Sequence, residues 1–118
     1  MAQLKVYSAA PNGNEAADMT DALYMNLAVS SLNEEAERLK TADTAVQTML
    51  AHIDILLYLA EKFPEGAELS IEKSDVKVWK TAFYEWYERC NAKIPSKFRE
   101  GIKDSADELF SGLETFAS

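Results

Sequence analysis

The chain contains one cysteine, Cys90, and one histidine, His52, so only these two could form a cysteine–histidine catalytic pair. Such catalysis requires the nucleophile to lie beside an oriented base. Cys90 falls on an apolar helical stripe between Trp86 and Ile94, and His52 falls beside another such stripe. We therefore expect both to be structural residues, we predict no catalytic residue, and we expect that the protein is not an enzyme.

Metal and phosphate sites are equally poorly supported by the residue types. A di-iron bundle uses Glu-x-x-His pairs, and Met49 stands three residues before His52. A structural zinc site needs several Cys or His ligands, and no glycine-rich phosphate-binding motif is present. Clustered carboxylates such as Glu34–Glu35 are typical of solvated helix faces. We expect no metal and no cofactor.

A basic segment is the least ordinary feature of the sequence. From Lys77 to Lys103 there are seven bases and three acids, a local charge of +4 in a chain of net charge −8, which leaves −12 elsewhere. Four of the aromatic residues among these bases lie on one helical face: Trp79, Phe83, Trp86 and Tyr87. Aromatic and basic side chains together can bind nucleic acid, but these aromatics share one helical face with Val76 and Ile94, which favours a core. Tyr84 lies off that face and is a candidate exposed contact.

Four amphipathic helices are predicted to position these residues. Residues 1–14 are expected to form a tail, in which Gln3–Tyr7 alternates like a short strand. From Glu15 to Phe63 there is neither glycine nor proline, and one helix of that length would extend roughly 70 Å. We therefore predict a break near Lys40–Thr44 between the first and second helices.

Proline residues delimit the remaining elements. Phe63 and Pro64 are predicted to end helix 2, with a linker or short extended piece at Glu68–Glu72. Ser74 or Asp75 would cap helix 3, Pro95 would stop it, and Ser96 would cap helix 4. The residues predicted to be buried are Ala22, Leu23, Met25, Ala28, Val29, Leu32, Ala36 and Leu39 in helix 1, Val46, Met49, Leu50, Ile53, Leu56, Leu57 and Ala60 in helix 2, Val76, Trp79, Phe83, Trp86, Tyr87, Cys90 and Ile94 in helix 3, and Phe98, Ile102, Ala106, Leu109, Leu113 and Phe116 in helix 4. The predicted fold is all-α, a three- or four-helix bundle over residues 15–118, with a short extended N-terminal segment left open.

Two features point to a partner. Ile55 lies nearly opposite the main stripe of helix 2, with Tyr58 and Leu59 beside it, and a helix that is apolar nearly all round is either central in its fold or covered by another chain. Helix 4 carries bases near its N-terminus and acids toward its C-terminus, the reverse of what the helix dipole favours. A neighbouring helix or a partner would account for that order. The candidate partner-binding residues are Ile55, Tyr58, Leu59, Tyr84, Lys97, Arg99 and Lys103.

The sequence thus favours a non-enzymatic interaction protein, an adaptor, regulator or assembly subunit that binds another protein or its own copy through helix faces. One alternative is an acidic mimic of nucleic acid that inhibits a nucleic-acid-binding protein. A further alternative, nucleic-acid binding by Lys77–Lys103, is disfavoured by the acidic remainder. One cysteine permits no intrachain disulfide, and neither a signal peptide nor a membrane-spanning run is expected. We expect a cytoplasmic location, with leaderless export left open.

Overall fold

The computed structural model describes residues 15–118, with side chains described from Met19 onward. That part of the chain is all-helical. It comprises α1 (Glu15–Arg38), α2 (Ala45–Lys62), α3 (Pro64–Ser70), α4 (Lys73–Cys90), a 3₁₀ turn (Asn91–Lys93) and α5 (Ser96–Phe116). The all-α prediction is confirmed. The predicted bundle of three or four helices is not confirmed, because residues 15–118 contain five α-helices. The predicted tail, residues 1–14, and the strand within it lie outside the described residues.

The additional helix is α3, which replaces the linker or extended piece predicted at Glu68–Glu72. Pro64 occupies its first turn, where a missing N–H removes no intrahelical hydrogen bond. Ala67 and Ile71 are fully buried and anchor the segment to the core. Seven residues are too short for a periodic signal to be recognised in sequence, so tertiary packing determined this helix.

The other helix ends lie close to their predicted positions, but the predicted capping residues do not cap the helices. The predicted break is confirmed, because α1 ends at Arg38 and α2 begins at Ala45. However, α4 begins at Lys73, and Ser74 donates its hydroxyl hydrogen bond to the Glu72 carboxylate instead of capping the helix. Ser96 is the first residue of α5, and no side-chain hydrogen bond caps that helix.

The four long helices form a ring in which each packs on two others. α1 packs on α2 and α4, and α5 packs on the same two helices. α4 and α5 run antiparallel, since Lys80 pairs with Glu114 near one end and Tyr87 reaches the Arg99 carbonyl near the other. α3 contacts α1, α2 and α5 and lies across one end. At that end the backbone of Ser118 exchanges hydrogen bonds with Ile71 and Lys73, which fixes the C-terminus to the α3–α4 link.

The core largely matches the predicted faces. Trp79, Phe83 and Phe110 are its largest fully buried side chains. Two predictions of burial are wrong: Leu23 is 57% exposed and Phe98 is 54% exposed. Phe98 lies in the first turn of α5, and Leu23, in the third turn of α1, lies on the side of that helix away from the buried Met25 and Leu32. These two exceptions lie on the surfaces described next.

Candidate protein-interaction groove

An apolar groove of about 760 Å³ lies between α2 and α5, near the turn that joins α4 to α5. We call it the α2–α5 groove. Its lining residues are Asp43, Thr44, Val46, Gln47, Leu50, Trp86, Lys93, Ile94, Pro95, Lys97, Phe98, Gly101, Ile102, Ser105 and Leu109. A larger hollow of about 940 Å³ beside α4 is lined by six charged residues together with Thr81 and Tyr84. The α2–α5 groove has far fewer charged lining residues and is the more apolar of the two surfaces.

Two glycines mark a tight and an open position on α5. At Gly112 a Cβ would lie 2.9 Å from Leu57 Cδ2, so α2 and α5 approach closely there. Gly101, three turns earlier on α5, lines the groove and has no heavy atom within 4 Å of the equivalent position. Ser105, which also lines the groove, has a small side chain. Small residues on α5 therefore leave this part of the groove open.

Aromatic side chains shape the floor and one edge. Trp86 is only 5% exposed, and its indole Nε1–H has no hydrogen-bond acceptor within residues 15–118. Phe98 stands at the edge, with the Lys97 ammonium 5.0 Å from its ring centroid, a cation–π arrangement. Burial of an unpaired donor is unusual in folded proteins. The groove thus has an exposed aromatic ring at its edge and a buried tryptophan, whose indole N–H is unpaired, beneath its floor.

The rim is predominantly basic and is tied to the α1–α2 link. Lys93 Nζ lies 2.5 Å from Asp43 Oδ2, and Arg89 Nη2 lies 3.7 Å from Asp43 Oδ1. Arg89 also donates to the Leu39 carbonyl at 3.1 Å. The hydrogen bond from Lys93 holds the pKa of Asp43 below its ordinary value and raises the pKa of Lys93. Lys97 has no carboxylate partner in the described part of the chain, so its charge is available at the rim.

A second apolar surface lies on the outside of the molecule. Met19, Leu23 and Leu27 are 68%, 57% and 53% exposed and follow one another at a spacing of four residues along α1. We call these three residues the α1 stripe. They lie on the side of α1 opposite the buried Met25 and Leu32. The stripe is not predicted from sequence, because the apolar periodicity of the buried face of α1 is stronger than that of the exposed face.

The candidate residues predicted from sequence do not form one site. On α2, Ile55 and Tyr58 are exposed and Leu59 is half-buried against the core. Lys97 lines the groove, whereas Lys103 is exposed elsewhere on α5. The aromatic residues of the groove are Trp86 and Phe98. Periodicity predicts both to be core residues, and it does not identify them as part of a groove.

Tyr84 and Arg99 have structural roles at the α4–α5 contact. Tyr84 is half-buried and donates its hydroxyl hydrogen bond to Asp107. Partial burial, together with that hydrogen bond, raises the pKa of the Tyr84 hydroxyl above its usual value. Arg99 is also half-buried, and its Nη2 donates to the Ile94 carbonyl at 3.1 Å. With the Lys80–Glu114 ion pair, these contacts show that α4 partners the acids of α5.

The two residues of the cysteine–histidine pair considered from sequence lie on different helices, Cys90 on α4 and His52 on α2. Cys90 is buried in the core and His52 is half-buried. From Met19 to Ser118, no group of three or more His, Cys, Asp or Glu side chains has a metal-binding arrangement. No helix in the described residues is both long and apolar enough to cross a membrane. Comparison with protein-family models, with curated proteins and with solved structures finds no match to this chain.

Proposed function

We propose that this chain is a non-enzymatic protein-interaction module that binds an amphipathic helix of a partner in the α2–α5 groove. The observation that carries the proposal is the apolar floor, which is open to solvent beside a half-exposed phenylalanine, Phe98. A contiguous apolar surface of this kind is typical of interaction sites. A helical partner suits a groove that follows the axes of two helices.

The dimensions support a helix as the bound element. On α5 the groove extends from Phe98 to Leu109, eleven residues or about 16 Å at 1.5 Å per residue. Helix-in-groove complexes place apolar anchors at intervals of three and four residues in such a space. Aromatic residues such as Trp86 and Phe98 are frequent energetic centres of interfaces.

The charge of the rim favours an acidic partner helix. Lys93 and Lys97 stand at the rim with one acid, Asp43, which is already paired with Lys93. Carboxylates on a bound helix would face these ammonium groups, and complementary charge increases specificity and the association rate. We therefore expect binding to weaken as salt is added, and we expect Lys97→Glu to reduce both the affinity and its dependence on salt.

A selection from displayed amphipathic helical peptides, on the full-length chain, tests the proposal. The expected result is enrichment of peptides with apolar residues at helical spacing and acidic residues beside them. Phe98→Asp should weaken their binding at least tenfold, about 1.4 kcal/mol, as for a central interface residue. Leu69→Asp is the matched control, because Leu69 is 88% exposed on α3 and lies outside the groove.

Three outcomes would contradict the proposal. The first is a selection that enriches no peptide. The second is binding that survives Phe98→Asp in a variant whose circular dichroism is unchanged. The third is binding that is lost on Ile55→Asp but not on Phe98→Asp, which would move the interaction to the exposed face of α2.

A further inference from the structure

The outer face of α4 separates its charges along the helix. The lysines Lys73, Lys77 and Lys80 lie toward its N-terminus and line the hollow of about 940 Å³. The glutamates Glu85 and Glu88 line the same hollow toward the C-terminus. This order is the reverse of what the helix dipole favours. Neighbouring lysines and neighbouring glutamates also stand three or four residues apart, a spacing at which like charges weakly destabilise a helix. Interactions within α4 therefore do not explain the order of these charges.

Most of these charges are available to another molecule. Four side chains on this face are exposed and form no ion pair with residues 19–118: Lys73, Lys77, Glu85 and Glu88. Lys80 differs from them, because its ammonium lies 2.8 Å from Glu114 Oε1 on α5. The described fold thus pairs one lysine of this face and leaves two lysines and two glutamates facing solvent.

The most prominent row of this face consists of Lys77, Thr81 and Glu85, which we call the α4 crest. Its three residues follow one another at a spacing of four, so they lie in one line along the helix. All three line both the hollow of about 940 Å³ and a smaller hollow of about 340 Å³ between α1 and α4. A row of side chains with a hollow on each side is a shape against which the ridge of a second helix can pack.

The charges are distributed nearly symmetrically about Thr81. Lys77 stands four residues before Thr81 and Glu85 four residues after it, whereas Lys73 stands eight before and Glu88 seven after. In an antiparallel pair of α4 helices with Thr81 opposite Thr81, each Lys77 is level with Glu85 of the other copy, about 6 Å from the centre. Lys73 and Glu88 are then about 12 Å and about 10.5 Å from the centre at the same end, a difference that their long side chains can span. A parallel pair would instead place lysine opposite lysine.

We propose that two copies of this chain associate through antiparallel α4 crests, about a twofold axis at Thr81. The self-complementary order of the charges selects a second copy as the partner, because a twofold contact requires a surface that complements itself. The contact pairs Lys77 with Glu85 and Lys73 with Glu88, once on each side of the axis. Exposed ion pairs are individually weak, so the dimer is weak and reversible. The α2–α5 groove shares no lining residue with the large hollow, so this contact goes beyond the proposed function.

Charge-reversal variants of the full chain test this contact by analytical ultracentrifugation over a wide range of concentration. The net charge of −8 makes two copies repel each other at long range, so the salt is held at about 0.1 M, where charges more than about 10 Å apart are largely screened. We expect the wild type to form a concentration-dependent dimer whose dissociation constant rises at about 1 M salt. Lys77→Glu and Glu85→Lys each place like charges opposite one another, so each should raise the dissociation constant at least about tenfold.

Mixing the two variants separates this contact from a general effect of charge. In an equal mixture of Lys77→Glu and Glu85→Lys, the crest residues of the two copies are again opposite in charge. A heterodimer should therefore form, although each variant alone is monomeric at the same concentration. Lys103→Glu is the matched control, because Lys103 is exposed on α5, lines neither hollow and gives the same change in net charge. It should leave the dimer nearly unchanged.

Three results would overturn the proposal. The first is a wild type that stays monomeric at every concentration, and the second is a dimer that Lys77→Glu and Lys103→Glu weaken equally. The third is an equal mixture of the two reversed variants that remains monomeric. Circular dichroism checks that each variant is folded. Should a reversed variant lose helix, Lys77→Gln and Glu85→Gln remove the same charges without reversing them, and each should still weaken the dimer more than Lys103→Gln does.

Discussion

Replacing Gly101 with alanine should stabilise the protein. The structure gives both the physical reason and the expected change in the free energy of unfolding. Gly101 lies within α5, where glycine costs roughly 0.5–1 kcal/mol relative to alanine because of its conformational freedom in the unfolded chain. A Cβ at this position would meet no heavy atom within 4 Å. No steric cost offsets the gain, so we expect the free energy of unfolding to rise by about 0.5–1 kcal/mol.

Gly112→Ala, in the same helix, should behave differently. Its Cβ would lie 2.9 Å from Leu57 Cδ2 and 3.0 Å from Cδ1, so the leucine must move. Added volume in a packed interface costs typically about 1–3 kcal/mol, which exceeds or cancels the helix gain. We expect the free energy of unfolding to fall by about 0–2 kcal/mol.

Urea denaturation and thermal melting of both variants measure these changes. For a chain of this size, a change of 1 kcal/mol corresponds to a shift of about 4 °C in Tm. In a Leu57→Ala background the cost of Gly112→Ala should shrink, because the contacted side chain is gone. Equal effects of the two glycine substitutions, or a destabilising Gly101→Ala, would refute the conclusion that α5 is tightly packed at Gly112 and open at Gly101.

Three further predictions concern the stability of the fold. Asn33→Ala should destabilise the protein by about 1–3 kcal/mol in urea titrations, because Asn33 Oδ1 accepts the hydrogen bond of the buried Trp79 indole at 2.8 Å; Asn33→Asp keeps the acceptor and should lose much less. Leu56→Ala, at a fully buried site, should cost about 2–5 kcal/mol, and a smaller loss would contradict the packing of α2. Asp43→Asn should be less stable than the wild type at pH 7, and the difference should vanish as the pH falls through the lowered pKa of Asp43, below 3.8, where the wild-type ion pair with Lys93 is also lost. Melting temperatures across that pH range would contradict this if the difference persisted.

The sequence predicted which face of each helix is buried better than it predicted which helices pack together. The buried face of α4 was predicted correctly because its periodicity is regular, although α4 ends at Cys90, before Pro95. Phe98 was assigned to the core because it shares a face with Ile102, but periodicity gives the direction of a side chain and not how far a neighbouring helix extends. Leu23 was predicted to be buried although it lies on the side of α1 opposite the buried Met25. The helix α3 was not predicted because it has too few residues to show a period.

The groove itself could not be predicted, because it depends on which helices are neighbours. Gly101 and Gly112 are equivalent in sequence, each an isolated glycine in a helical pattern. Only the tertiary contact with Leu57 distinguishes a close approach from open space. Likewise, the acids toward the C-terminus of α5 have no explanation within that helix. One of them, Glu114, forms an ion pair with Lys80 of α4. Local sequence patterns do not indicate which helices pack against each other, and the groove depends on that packing.

Amide chemical-shift mapping tests the central claim most directly. The full chain, labelled with ¹⁵N, would be titrated with an acidic amphipathic helical peptide obtained from the selection. We predict that the largest shifts fall on groove residues of α2 and α5, including Gln47, Gly101 and Ile102, and that Phe98→Asp abolishes them. Shifts confined to the outer face of α2 around Ile55 and Tyr58, with the groove unaffected, would contradict the account.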